Sequence, residues 1–254
     1  MTGQSQFVVC DDGRRLHFVS AGHGTPSVVF ESGMGESSSS WKSVPSMIAR
    51  HARAVAYDRA GYGRSDPDPR ERPLSRLADD LRTLLVGLGD LRFILVGHSW
   101  GGPVVRTVGA LLGAEKVAGI VLVDPTDERS DHYFDPTVVQ RMSARAEALR
   151  SESPQGTSRF TPHETAAVLA ERESFLDDLL RLREAPPVLG DIPVTVISAA
   201  GPGADAIRTS LQEAHRMSAQ AAPTGRLVLA HHSGHQIMHT EPELIVREVL
   251  RLIG

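Results

Sequence analysis

A serine set between two glycines directly after a short apolar run constrains this chain more than any other feature: Phe93-Ile94-Leu95-Val96 leads into Gly97-His98-Ser99-Trp100-Gly101. A backbone that turns sharply from strand to helix brings the residues two before and two after the turning point into collision. Gly97 and Gly101 answer that steric demand, and Ser99 is expected in strained backbone with its hydroxyl lifted clear of the sheet. The apolar run has the length of a buried parallel strand, and Gly102-Pro103-Val104-Val105 suits a helix start, where proline is tolerated in the first turn. Strand, elbow and helix together can present a serine hydroxyl to a base and to backbone N–H groups.

Further apolar or alternating segments read as strands at Phe7–Cys10, Leu16–Ser20, Val28–Phe30, Ala54–Tyr57, Ile120–Val123, Val194–Ile197 and Leu227–Ala230. Several are too uniformly apolar to be half-exposed, which predicts a mostly parallel sheet covered by helices on both faces. Asp11-Asp12-Gly13 reads as a hairpin turn, so the sheet is expected to begin antiparallel. Leu77, Leu81, Leu84, Leu85 and Leu88 form a helical stripe after Ser75, and Thr240 with Glu243 predicts a capping box before Ile245, Val249 and Leu252. From 126 to 190 no strand pattern appears. Asp135-Pro136, and Thr161-Pro162 with Glu164, are helix-start signals on either side of a polar loop at Ser151–Ser158. The expected organisation is therefore a core at 1–125 and 191–254 with a helical cap at 126–190. Sequence does not divide the apolar residues of the insertion, Tyr133, Phe134, Met142, Phe160, Phe175 and Leu179 among them, between core packing and a pocket lining.

A chain of 254 residues with a net charge of -4 and scattered Lys and Arg has no basic stripe, which argues against nucleic acid and anionic membrane surfaces as partners. Cys10 is the only cysteine, so an internal disulfide is excluded and thiolate metal clusters are removed from consideration. The residues from Met1 to Gln6 are polar, without an apolar signal core, and no run reaches membrane-spanning length, so a soluble cytoplasmic protein is expected. His231, His235 and His239 would align as metal ligands on a continuous helix, but Ser233-Gly234 argues against a helix there and no His-Glu-x-x-His motif exists. No metal and no cofactor are expected.

Several separate motifs together resemble the α/β-hydrolase superfamily over essentially the whole chain. Besides the elbow, these are Ser32-Gly33-Met34-Gly35 after the third strand, Asp58-Arg59-Ala60-Gly61-Tyr62-Gly63-Arg64-Ser65 after the fourth, and Gly234-His235 with Glu241-Pro242-Glu243 near the end. The resemblance implies an eight-stranded, mostly parallel α/β-hydrolase sheet and a cofactor-free serine hydrolase. Ser99 would be the nucleophile, His235 the general acid and base, and the backbone N–H groups of Met34 and Trp100 the oxyanion hole. Ser32 stands where the family commonly has histidine, a departure of little consequence because the family uses the backbone there. Asp58 and Arg59 are read as bracing the loop after the fourth strand, and His98 as structural, facing away from the base.

Two aspartates compete for the third role. Most of the family takes its acid after the seventh strand, where this chain lacks the usual Gly-x-x-Asp and Asp205 comes late, after Gly201-Pro202-Gly203. Asp124 ends the sixth strand, a position some relatives use, and a strand tip gives a rigid, partly buried carboxylate suited to orienting imidazole. Asp124 is the favoured reading. Aspartate before proline also turns or caps a chain with no catalytic duty, and Asp205 suits a helix cap. A serine nucleophile argues against dehalogenase and epoxide hydrolase chemistry, which form an alkyl ester on a carboxylate. The expected substrate is a small carboxylic ester or lactone, acted on by a monomer or homodimer. Acyl transfer, thioester or amide cleavage, and a non-catalytic ligand-binding role remain as alternatives.

Overall fold

The computed structural model describes residues 3–152, 158–203 and 205–254. The apolar segments become eight strands: β1 (Gln4–Val9), β2 (Arg15–Ala21), β3 (Ser27–Glu31), β4 (Ala54–Tyr57), β5 (Phe93–His98), β6 (Val117–Val123), β7 (Val194–Ala199) and β8 (Arg226–Ala230). They form one sheet in the order β1-β2-β4-β3-β5-β6-β7-β8. β2 runs antiparallel to β1 and β4, and every pairing from β4 through β3 to β8 is parallel. At the β1–β2 hairpin the Cys10 N–H donates to the Arg14 carbonyl (2.7 Å), and Gly13 supplies the left-handed turn residue, φ 86°.

Strand alternation divides the core into two apolar layers. Val29, Val55, Leu95, Leu122 and Val196 face one layer, shared with α2 (Leu74–Leu88) and α3 (Gly101–Lys116, interrupted at Gly113). Val28, Phe30, Ile94, Val96, Val121 and Ile197 face the other, covered by α1 (Val44–Ile48) and the final helix α8 (Pro242–Ile253). These central strand residues are fully shielded from water, which is why they carry no polar alternation in sequence.

Between β6 and β7 the described residues contain a short 3₁₀ turn (Asp131–Phe134), α4 (Pro136–Glu152) and α5 (Pro162–Glu184), and no strand. Asp135 accepts from the Thr137 N–H (2.8 Å) at the start of α4, and Thr161 and Glu164 form a reciprocal capping box on α5. Most of the polar loop expected at Ser151–Ser158 lies at 153–157, outside the described residues; at its start, Ser151 belongs to α4. The capping box expected of Thr240 and Glu243 does not form. Thr240 instead ends a short helix, α7 (Ile237–Thr240), and its hydroxyl pairs with Ser233 (2.5 Å), while Pro242 opens α8 without a side-chain cap.

α5 is anchored to the sheet through charge. Glu171, fully buried, accepts from Arg59 Nη2 (2.9 Å) and Nε (3.1 Å) and from Arg72 Nη2 (3.0 Å). Removing one partner of such a buried pair leaves the other charge without compensation, which costs several kcal/mol. Glu171→Gln keeps the shape but withdraws the counter-charge from two buried guanidiniums. It is expected to lower unfolding stability by about 3 kcal/mol or more, read as a fall in the urea midpoint at unchanged slope.

Candidate active site

Ser99 sits directly after β5 in left-handed backbone, φ 50°, a conformation that L side chains avoid unless the surroundings impose it. Those surroundings are a close approach of strand, helix and loop. A Cβ on Gly97 would stand 2.5 Å from the Gly101 carbonyl, and one on Gly101 would stand 2.5 Å from the Glu31 carbonyl, so neither position admits a side chain. The Ser99 N–H donates to Val123 (3.2 Å), and its carbonyl accepts from the N–H groups of Gly102 and Thr126 (both 2.9 Å). The elbow is thereby stitched to the end of the neighbouring strand.

Asp124 follows β6 as Ser99 follows β5, and it too is left-handed, φ 40°. The parallel register His98↔Val123 sets the two strand tips side by side. The Asp124 carboxylate is 1% exposed and fully engaged. Its Oδ2 meets His235 Nδ1 at 2.7 Å, while Oδ1 accepts from the Ala199 N–H (2.9 Å) and from Arg208 Nη1 (2.6 Å). Burial alone would raise the pKa of this carboxyl. The hydrogen bond from His235, together with the charges of His235, His215 and Arg208, reverses that and holds it well below the usual carboxylate range. An ionised Asp124 makes Nδ1 of His235 the protonated nitrogen and leaves Nε2 free to accept a proton. Asp205, the competing acid, occupies the N-cap of α6 (Ala206–Ala221), where its side chain accepts from the Arg208 N–H (2.9 Å).

The Ser32–Gly35 loop lies against the elbow. A Cβ on Gly33 would come within 3.1 Å of Ser99 Cβ, and Met34 packs on the apolar layer that contains Trp100. Trp100, 1% exposed, stacks on Phe175 of α5 at 4.8 Å between ring centres. Asp58 braces its surroundings as expected, accepting from the N–H groups of Ser38 (2.8 Å) and Arg64 (3.1 Å). Arg59 lies over the ring of Tyr62 in the loop after β4 (5.3 Å to the ring centre) and also grips the Ser32 (2.6 Å) and Gly33 (3.0 Å) carbonyls. His231, His235 and His239 do not share a helix; His239 donates through Nε2 to the Ser40 carbonyl (3.1 Å).

His98 does not face away from His235, contrary to the sequence expectation. Its Nε2 donates to the His235 carbonyl (3.0 Å) and its ring centre lies 4.6 Å from that of His235. The other nitrogen, Nδ1, meets Glu36 Oε2 at 3.0 Å. Glu36 also accepts from the Gly33 N–H (3.1 Å) and from the Gln236 side-chain amide (2.7 Å), so one carboxylate joins the elbow, the Ser32–Gly35 loop and the histidine loop. Sequence reasoning missed Glu36, Gln236 and Arg208. Glu36 stands directly after the glycine-rich loop, but its side-chain partners His98 and Gln236 are 62 and 200 residues away and leave no local pattern.

Residues 28–248 match the model of the alpha/beta hydrolase family, and the chain belongs to that family. Among curated proteins it is similar to a bifunctional epoxide hydrolase 2 of Sus scrofa, 37% identical over 117 residues, covering 45% of this chain but only 21% of the pig protein. A putative carbamate hydrolase of Pseudomonas savastanoi pv. phaseolicola is 29% identical across 90% of this chain and 94% of its own. Among solved structures, the enol-lactonase of Burkholderia xenovorans LB400 shares the fold with a TM-score of 0.73 at 21% identity, covering 98% of this chain and 99% of that one.

Hydrogen bonds, the one from His98 foremost, hold the Glu36 carboxyl down at about 2 despite its burial. A carboxyl depressed in the folded state contributes stability that is present above its unfolded pKa, near 4.5, and lost as pH falls toward 2. Glu36→Gln should therefore cost about 1–3 kcal/mol near neutral pH. Denaturant midpoints of the two proteins are expected to converge between those two pH values; a constant gap would show that the charge of Glu36 is immaterial.

Proposed function

We propose that this member of the family is a cofactor-free serine hydrolase that cleaves a carboxylic ester or lactone. The observation that carries the reading is the 2.7 Å bond between Asp124 and His235 Nδ1, because it commits the imidazole to the tautomer whose Nε2 serves as base. Ser99 Oγ attacks the acyl carbon and gives its proton to Nε2. The carbonyl oxygen becomes an oxyanion held by the N–H groups of Met34 and Trp100, donors whose loss individually costs roughly 3 kcal/mol or more in such sites. Collapse expels the alkoxide, which takes the proton from His235 and leaves an acyl ester on Ser99. Water then repeats the sequence and frees the acid.

The helices of the insertion serve as a cap in this reading. Phe175 of α5 packs against the Trp100 ring, and Met142 of α4 packs against the same apolar layer of the core. Among the described residues no helix is long and apolar enough to cross a membrane.

A fluorophosphonate should form a stable adduct on Ser99, seen as a mass increment on its peptide, and Ser99→Ala should abolish it while the circular dichroism spectrum stays unchanged. An unlabelled Ser99 in folded protein would replace the hydrolase reading with a ligand-binding one. Asp124→Asn is expected to reduce ester turnover by roughly 10²–10⁴, compared at equal folded fraction, whereas Asp205→Asn, which alters a helix cap, should change it little. The opposite order would move the acid to the loop after β7.

A further inference from the structure

Asp124 has a second cationic partner besides His235. Arg208 reaches it from the first turn of α6, with Nη1 2.6 Å from Oδ1, and among the described residues this guanidinium forms no other ion pair. Its side chain is only 18% exposed and the carboxylate is buried, so water screens the contact little. The turn that carries it is held at both ends. Asp205 caps it by accepting from the Arg208 N–H (2.9 Å), and Gln212, one turn further, donates to the Ala199 carbonyl at the end of β7 (2.9 Å). The segment after β7, the alternative source of the acid, thus supplies a cation to an acid that stands on β6.

The two partners make different demands on one buried charge. While His235 is neutral, Arg208 is the only formal counter-charge within hydrogen-bond reach of Asp124 among the described residues. Once His235 is protonated, imidazolium and guanidinium share the carboxylate and repel each other. The guanidinium therefore favours the neutral imidazole, whose Nε2 is free, over the protonated one. The other titratable groups nearby are otherwise engaged. His215 of α6, fully buried, donates through Nε2 to the Pro125 carbonyl (2.8 Å) and accepts at Nδ1 from the Ser198 hydroxyl (2.8 Å), and burial holds its pKa below the ordinary histidine range. His98 is met by Glu36 (3.0 Å), Asp127 by Arg129 (3.7 Å), and the His132 ring by the Ser130 hydroxyl (2.8 Å). On the histidine loop itself, His231 and His232 are exposed, His239 donates to Ser40, and Glu241 accepts from the His232 N–H (3.0 Å).

We propose that Arg208 is a positioning residue for the hydrolysis: by sharing Asp124 with His235, its charge disfavours the protonated form of that imidazole and keeps Nε2 available as base at mildly acidic pH. The inference rests on the hydrolase reading above. Because the His235 side chain is 47% exposed, solvent moderates the effect without cancelling it.

The test is the pH profile of kcat/KM with 4-nitrophenyl acetate for the wild type, Arg208→Gln, Arg208→Met and Arg208→Lys. Arg208→Gln retains a hydrogen-bond donor for Oδ1 and removes the charge, and it suffices should Arg208→Met not fold; Arg208→Lys retains the charge. Relative to each protein's own alkaline plateau, activity at about pH 5.5 should fall roughly threefold further in Arg208→Gln and Arg208→Met than in the wild type, and Arg208→Lys should follow the wild type. A profile that is unchanged in Arg208→Gln, or lowered evenly at all pH, would make Arg208 a mere tether and overturns the proposal. So does an equal displacement in Arg208→Lys, since charge would not be the cause. Histidine-ring NMR, with His235 assigned by its loss in His235→Gln, reads the same interaction without turnover: that ring should take up its second proton at higher pH in Arg208→Gln than in the wild type. This displacement in a protein that hydrolyses no ester would sink the hydrolase reading and keep the charge coupling. Ester hydrolysis with neither the profile nor the ring titration displaced would do the reverse.

Discussion

The guanidinium of Arg59 is the contact on which the site's geometry depends. Placed just past β4 and almost completely buried, it donates to Glu31 at the end of β3 (2.5 Å), to the carbonyls of Ser32 and Gly33, and to Glu171 of α5. A loop of small residues has little intrinsic reason to hold one shape. Two carbonyls gripped by one planar, permanently charged fork give it that reason, and the low dielectric around the fork strengthens each bond. The same side chain fixes how α5 sits over the sheet, since Glu171 has no comparable partner other than Arg72.

Around that fixed loop, two non-glycine residues in left-handed backbone occupy the ends of adjacent parallel strands. Ser99 and Asp124 are held there by reciprocal bonds between the segments that follow each strand, the Thr126 N–H to Ser99 being the clearest. Strain at both tips is sustained because the strands beneath are deeply buried and in register, and cannot relax without breaking the sheet. Glu36 extends this rigidity to the histidine loop. The arrangement agrees with a site in which the reacting groups are placed before substrate arrives.

Much of this was legible in the residues. The elbow glycines announce themselves because the steric demand is local, and the central strands because burial on both faces leaves no polar alternation to confuse them. Thr161 with Glu164 formed the capping box its spacing predicts, whereas Thr240 with Glu243 did not, since Thr240 closes one short helix and its hydroxyl is taken by Ser233. Local pattern could not report that competition. His98, Glu36 and Arg208 were illegible for a related reason: each works through a partner brought near only by the completed sheet, as Arg208 is to Asp124. The orientation of His98 was misjudged because a turn fixes its own backbone, not what the next loop lays across the ring.

Glu171 has a consequence for motion. Lifting α5 would strand Arg59 and Arg72 in a medium of low polarity, and eight buried residues along that helix would be wetted at the same moment. α4 has a single buried residue, Leu149, and little to lose by moving. The two helices of the insertion therefore differ in mechanical character, one a foundation and the other a hinged leaf. Local opening is therefore expected to come more easily along α4 than along α5, with faster hydrogen exchange on the first.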